Sequence, residues 1–473
     1  MAESQGDWYA SLFASYAHAS RFEQLPEATV HEIKRRVLDS IGVAMAAFDE
    51  DAPTVARAYA LELPHPAGAT LWGTGARVTP EAASLANGVM VRYLDFNDTY
   101  LSREPLHPSD VIPGLMALCQ WRDRPVRDLV AGVAVAYEIG VALCDSVSLR
   151  SRGWDHVNYI AVAAACGAGT LLGLTPSQIE HAISIATVPH ASMRQTRAGE
   201  LSMWKGAAAA NSTRNAVFAA LLAEKGFTGP FQPFQGEMGF LRQLLQVDDF
   251  DSAPFQPLEG GAPPSRILDS YIKRWPVEYH AQSAVDIAVD LRQQLGASDS
   301  ADAVAGAVQS LHIDTFGAAY EIIAMDQEKW APRTRETADH SMPYIVAVAL
   351  LDGFVDSGSF SDERLVDPRV RSILDRSTLR MDPELDKGYP EGIPNRITLT
   401  AADGRKLVGE QSYPRGHFHN RMSDAEVEAK LLSNVEGRWS EAQSRRVIDL
   451  VMSLERQSSL DALLSAMAEN AAG

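Results

Sequence analysis

Two stretches constrain this chain more than any others. Residues 129–143 and 159–172 are almost entirely apolar and rich in Ala and Val. Helices apolar on all sides are buried on most of them. Gly167 and Gly169 lie inside the second run and Gly173 just after it, and such small residues allow helices to approach closely. At 473 residues the chain is long enough for two or more domains with sizeable cores.

The rest of residues 8–270 reads mainly as helix. Val30, Ile33, Val37, Ile41, Met45 and Phe48 recur at steps of three or four, one apolar stripe on a helix. Thr175-Pro176-Ser177-Gln178 is a capping box with proline in the first turn. Thr79 followed by Pro80 predicts another helix start, capped by the threonine. Residues 215–225 continue the pattern until Gly226 ends it, and residues 247–264 are a polar, Pro- and Gly-rich loop or boundary.

The texture changes after Arg266. Polar Ser310, His312 and Asp314 alternate with Leu311, Ile313 and Thr315, which predicts a strand over 308–316. Residues 396–400 and 406–410 flank Asp403-Gly404, a hairpin signature. Helices over 283–295 and 344–355 surround the first of these strands. Ser423-Asp424-Ala425-Glu426 and Ser440-Glu441-Ala442-Gln443 then open two amphipathic helices. The expected fold is mainly α: a large helical domain built from 1–269 and 413–473, with a smaller α/β unit, 270–412, inserted between them.

The formal charge of −19 argues against nucleic acid and anionic membranes as partners. It also implies that any cations binding an anionic ligand are gathered locally. Cys119, Cys144 and Cys166 each lie in an apolar run without metal-ligand spacing and read as buried free thiols in a reducing compartment. The acidic stretch 1–7 has no hydrophobic signal core, and no uninterrupted apolar run reaches membrane-spanning length. A cytoplasmic location is expected.

One polar connection stands out between two apolar helical segments. It is Tyr93-Leu94-Asp95-Phe96-Asn97-Asp98-Thr99, followed by His107-Pro108-Ser109-Asp110. Polar groups concentrated between buried elements mark functional loops, although Asp95, Asp98 and Ser109 also suit helix capping.

These residues belong to a wider set: YLDFNDT (93–99) with HPSD (107–110), GWDHVNY (153–159), LSMWKG (201–206), KRWPVEYHAQSA (273–284), ADHSMPYIVAVALLDG (338–353) and YPRGH (413–417). In this order they resemble the MmgE/PrpD family, whose members include 2-methylcitrate dehydratase and cis-aconitate decarboxylase. The resemblance implies that the inserted unit is a lid domain and that the protein is a homodimer. It places Asp95, Thr99, His107, His156, Lys205 and Lys273 around the active site. Two departures concern the lid. Glu278 stands where some decarboxylase-like members carry histidine, with His280 the nearest histidine here. Their lid tyrosine has no clear counterpart, Tyr320 being the one candidate.

The resemblance implies dehydration of 2-methylcitrate or citrate to an aconitate-type product, without metal or other cofactor. That reaction needs a base at the carbon beside a carboxylate, an acid at the leaving hydroxyl, and cations for the developing charge. His107 suits proton transfer, and His156, just before a buried helix, can point a donor at the substrate. Asp95 is expected as a base, its pKa raised beside an anion, or as the group that orients His107. Thr99 can donate to a carboxylate or cap a helix. Lys205 opens an Ala-rich helix, where a buried ammonium needs a partner: a bound carboxylate or a neighbouring acid. Lys273, Arg274 and His280 are further substrate contacts near the domain junction. Arg197, Arg415 and His417 are weaker candidates, and His340 beside Asp339 is read as support for the lid. The alternatives are decarboxylation of cis-aconitate to itaconate, isomerisation or epimerisation of a related acid, and non-catalytic binding of an acidic metabolite.

Overall fold

The computed structural model describes residues 6–199, 201–297 and 300–468, so most of the acidic stretch 1–7 lies outside the described residues. The two apolar runs form helices Val126–Ser146 and Val157–Leu172, packed side by side. Their contact depends on glycine. A Cβ on Gly132 would lie 2.6 Å from the Gly167 carbonyl oxygen, and one on Gly167 would lie 2.6 Å from that of Gly132. Val126–Ser146 has the length and composition of a membrane span, but 94% of its most apolar window is buried within the protein. It is a core helix.

Helices cover 59% of the chain and strands only 9%, so the fold is mainly α. Two hydrophobic cores divide it. The larger takes residues from Tyr9 to Ile272 and again from Met422 to Met467, so both ends of the chain build one helical body. Its later helices, Asp424–Asn434, Glu441–Met452 and Asp461–Ala468, return to pack on Glu27–Ala46 and on each other. The second core runs from Tyr271 and Trp275 to Ala401 and borrows Leu101 from the first body.

The second body is a four-stranded sheet backed by helices Gln282–Leu295 and Met342–Asp352. Its strands are β3 (Val308–Thr315), β4 (Ser377–Met381), β5 (Asn395–Ala401) and β6 (Lys406–Gln411), numbered after a two-stranded ribbon, β1 (Pro64–Thr70) with β2 (Arg77–Val78). The order across the sheet is β4-β3-β5-β6, with β3 parallel to β4 and antiparallel to β5. The predicted hairpin forms in register, Arg396 opposite Glu410 and Thr400 opposite Lys406. Neither β4 nor the β1–β2 ribbon shows in the sequence pattern.

The predicted helix starts follow their chemistry with two exceptions, one of them Ser440, which accepts from the Gln443 N–H without forming the reciprocal box. Thr175 and Ser423 both form reciprocal capping boxes, with Gln178 and Glu426. Thr79 occupies the N-cap position of Pro80–Tyr93, but its side chain makes no capping bond, so proline alone sets that start. Cys119, Cys144 and Cys166 are separate, buried free thiols. Burial pushes the Cys119 thiol up to about 12, which leaves it an apolar packing group.

The Gly132–Gly167 crossing predicts that G132A and G167A each lose about 1–3 kcal/mol in urea unfolding through overpacking. Gly306, in helix Ala301–Ala307, is the contrast, because a Cβ there would meet nothing within 4 Å. G306A is expected to gain about 0.5–1 kcal/mol from helix propensity.

Candidate active site

The loop after helix Pro80–Tyr93 is held rigidly from below. Tyr137, projecting from the apolar helix Val126–Ser146, donates its hydroxyl to Asp98 Oδ2 at 2.7 Å, and the Ser109 N–H donates to Asp98 Oδ1 at 2.9 Å. Asn97 donates to Ser109 Oγ at 2.9 Å and to Asp110 Oδ1 at 3.0 Å. Asp98 and Asn97 therefore fasten 93–99 to 107–110, and the loop bridges to the second body through paired backbone bonds between Thr99 and Tyr271.

Above this floor lies a cavity of about 560 Å³ between the two bodies. Among the described residues seven cationic side chains line it, Arg92, Arg150, Arg194, Arg197, Lys205, Lys273 and Lys329, against four acids, Asp95, Glu278, Glu321 and Asp326. In a chain of charge −19 this is a local excess of positive charge.

Asp95 is the counter-charge at its centre. Its side chain is 2% exposed, and its φ of +52° places a non-glycine residue in the left-handed region. Arg92 pairs with Oδ1, Lys273 Nζ lies 3.3 Å from the same oxygen, His107 Nε2 3.8 Å from it, and His340 Nε2 3.6 Å from Oδ2. Burial alone would raise the Asp95 pKa, but Arg92, Lys273, Lys205 and His340 outweigh it and hold the carboxyl well below the usual range. In the ligand-free protein Asp95 is therefore ionised; the expected rise in its pKa concerned a bound anion.

Four imidazoles surround the cavity, each with Nδ1 beside an acceptor. His107 Nδ1 is 2.8 Å from the Asp98 carbonyl oxygen, His156 Nδ1 3.2 Å from Asp155 Oδ1, His280 Nδ1 2.7 Å from Glu278 Oε1, and His340 Nδ1 2.5 Å from Asp339 Oδ1. At His107 and His280 that acceptor favours the proton on Nδ1 and leaves Nε2 with its lone pair, whereas His156 only lies near Asp155 and His340 Nδ1 also faces the Lys205 ammonium. Burial, then Arg92 and Lys273, hold His107 well below the usual imidazole range. Burial and Arg197 push His156 down to about 3. Both rings are therefore neutral at neutral pH, 5.7 Å apart between centroids. Glu278 is pulled down to about 2, burial opposing and the neighbouring His280, His340 and Lys273 prevailing.

Lys205 Nζ lies 3.4 Å from Asp339 Oδ1 and 3.1 Å from His340 Nδ1. A neighbouring acid is thus its partner, while the side chain still lines the cavity. Lys273 is fully buried and donates to the carbonyls of Asp95 at 2.8 Å and Val277 at 3.2 Å. Its pKa is lowered by burial, against the pull of Asp95.

Some expected contacts fall elsewhere. Thr99 lines the cavity, but its hydroxyl proton goes to the Leu106 carbonyl at 3.0 Å, so it has none to donate to a carboxylate. Arg274 is outside the cavity. Its side chain is 46% exposed, stacks 4.7 Å over Trp275 and leans towards Asp286. Arg415 pairs with Glu426 and His417 stacks on Tyr271, both away from the cavity. Tyr320 is not among the lining residues, although its neighbours Glu321 and Ile322 are. Conversely, Arg92 and His340 belong to the cavity, and the sequence reading gave neither a site role. Arg92 carried the same signal as Lys205, a lone cation in the apolar stretch Gly88-Val89-Met90-Val91.

Five buried polar atoms on lining residues have no hydrogen-bond partner among the described residues: Arg92 Nε, His156 Nε2, Arg197 Nη2, Tyr279 Oη and His280 Nε2. Buried polar atoms usually find partners, and a polar ligand would offer them here.

Comparison with known proteins adds ancestry to this geometry. The family models for the MmgE/PrpD N-terminal domain and the MmgE/PrpD C-terminal domain match residues 11–253 and 275–456. A 2-methylcitrate dehydratase of Cupriavidus necator is 31% identical over 407 residues, 81% of each chain. One from Salmonella typhimurium is 30% identical over 412 residues, 83% of this chain and 82% of its own. An alkylcitrate dehydratase of a fungal species is 26% identical over 480 residues, 93% of this chain and 90% of its own. With both family domains matched in order over most of its length, the chain belongs to the MmgE/PrpD family.

Proposed function

We propose that the protein is a citrate-type dehydratase that removes water from 2-methylcitrate or a close tricarboxylate by side-chain acid–base chemistry. The observation that carries this is the cavity itself, where an excess of cations and unpartnered polar atoms stands beside the neutral imidazoles of His107 and His156. The names of its relatives point to the same class of substrate.

In this reading the carboxylates of the substrate sit among Arg92, Arg197, Lys205 and Lys273, whose charge offsets that of the substrate. His107, neutral and with Nε2 free, takes the proton from the carbon beside a carboxylate. Negative charge then spreads onto that carboxylate, and the ammonium groups stabilise it in a site where water is largely excluded. Lys205 spends one N–H group on Asp339 and keeps another for the substrate, with which it protonates the departing hydroxyl. His156, held by Asp155, accepts from the substrate hydroxyl and aligns it. Asp95 orients Lys273 and His107 rather than exchanging the proton itself. His280, held by Glu278, gives the lid side a further acceptor.

A direct ultraviolet assay of 2-methylcitrate, citrate and cis-aconitate tests the reading. Formation or hydration of the conjugated double bond is expected. Carbon dioxide release from cis-aconitate without hydration would replace dehydration with decarboxylation. H107A and H156A are each expected to lower kcat by about 10²–10⁴-fold, the usual range for a lost acid or base. R274A, outside the cavity, is expected to stay within about twofold of the parent enzyme because it touches no substrate.

The pH profile follows from the direction of the shifts. A base whose pKa is depressed is already deprotonated at neutral pH and loses activity only when acid protonates it below its lowered pKa. The plot of kcat/KM is therefore expected to be flat from about pH 6 to pH 8, with no limb in the ordinary histidine range near pH 6.5. An acid limb at that pH would remove His107 from the role of base.

A further inference from the structure

Lys430 does not line the catalytic cavity, yet it is tied to it on two sides. It comes from helix Asp424–Asn434, which packs on Glu27–Ala46 so closely that a Cβ on Gly42 would lie 3.2 Å from Leu431 Cα. That approach sets Lys430 against Asp39, one turn before Gly42, with Nζ 2.6 Å from Oδ1. The same ammonium donates to the Phe96 carbonyl at 2.9 Å and to the Lys273 carbonyl at 2.7 Å. It also stands 3.7 Å from the centroid of the Phe96 ring. Two of its N–H groups are thus spent on backbone carbonyls, while Asp39 supplies the counter-charge.

The two carbonyls belong to the backbone that carries the site. Phe96 follows Asp95, and Lys273 in turn donates its own ammonium to the Asp95 carbonyl at 2.8 Å. Lys430 grips Phe96 and Lys273, and Lys273 grips Asp95, so the contacts close a ring through the left-handed residue. An ion pair with Asp39 alone would have satisfied the packing of the two helices. The two extra bonds bring nothing to that packing; they fix the segments bearing Asp95 and Lys273 relative to each other.

We propose that Lys430 is a positioning residue for the reaction, locking the backbone at Asp95 and Lys273 so that the carboxylate and ammonium meet the substrate in a single geometry. Its kinetic test rests on the dehydratase reading above. A misplacement of about 1 Å at reacting groups can cost about 10²-fold in rate. K430M, of similar length but without charge, is expected to remain folded by circular dichroism and gel filtration. Its kcat is expected to fall about 10²-fold while KM moves less than about threefold, the pattern of a lost transition-state geometry.

Chemical rescue separates this role from simple stabilisation. Lys430 also lines a cleft of about 1240 Å³ behind the loop, shared with Leu94 and Phe96. Truncation in K430A opens a space reachable from that cleft. Ethylammonium is expected to restore part of kcat in K430A but not in K430M, where the side chain fills the space. Potassium chloride at equal ionic strength is expected to restore nothing. A folded K430M with parental kcat, or K430A without amine rescue, overturns the proposal. Should K430M fail to fold, K430Q is read by the same kinetics. If the parent enzyme dehydrates no tricarboxylate, the dehydratase reading falls on its own. The clamp is then read without substrate by hydrogen–deuterium exchange: K430M must lose protection selectively at 94–97 and 271–275, and unchanged exchange there overturns it.

Discussion

The buried carboxylate of Asp95 is the interaction on which the site depends. Arg92 comes from the helical body, Lys273 from the junction between the bodies and His340 from the inserted unit, and all three converge on it. Without that negative charge, buried cations would repel each other in a medium that screens poorly. Breaking a buried pair by removing one partner typically costs about 3–5 kcal/mol. A single acid thus holds the helical body and the junction together through Arg92 and Lys273. It also leaves the cavity short of negative charge, which a multiply charged anion can supply.

The rest of the fold keeps this arrangement stiff on one side. The apolar helices beneath the loop close on each other through Gly132 and Gly167, and one of them sends Tyr137 up to Asp98. Asp98 and Asn97 then join the two halves of the loop, so His107 stands on a base that is itself part of the core. The opposite wall, with His280, Glu278 and His340, is built on the second core. Cavities at such junctions are the usual place for ligand sites, because two bodies can present groups that one chain segment cannot.

Much of this was legible in the sequence where the signal was local. The hairpin at Asp403-Gly404, the capping boxes at Thr175 and Ser423, and the two apolar helices each rest on residues within a few positions of one another. The misses have local reasons too. β4 is five residues on the sheet edge with little buried surface, so it has no apolar alternation to read. Thr79 has the right chemistry for a cap, but proline already defines that helix start. At the site, the motifs located Asp95, His107, His156, Lys205 and Lys273 along the chain. They did not show that the Thr99 hydroxyl is already bonded or that Arg274 turns away.

The sequence by itself determined which segments are helix, where an α/β unit interrupts them, and that an acidic protein carries isolated cations within apolar stretches. Periodicity, capping and hairpin chemistry act over a few residues, so they can be read from the chain alone. Only the tertiary structure decided which charges neutralise one another. Burial alone would raise the Asp95 pKa; Arg92, three positions away, pulls it down most, and Lys273 and Lys205 add to that pull across roughly 180 and 110 positions of chain. The protonation state of His107 was settled in the same way, by burial beside Arg92 and Lys273. Electrostatic effects depend on distance through space and on exclusion of water, and neither is written in the order of residues.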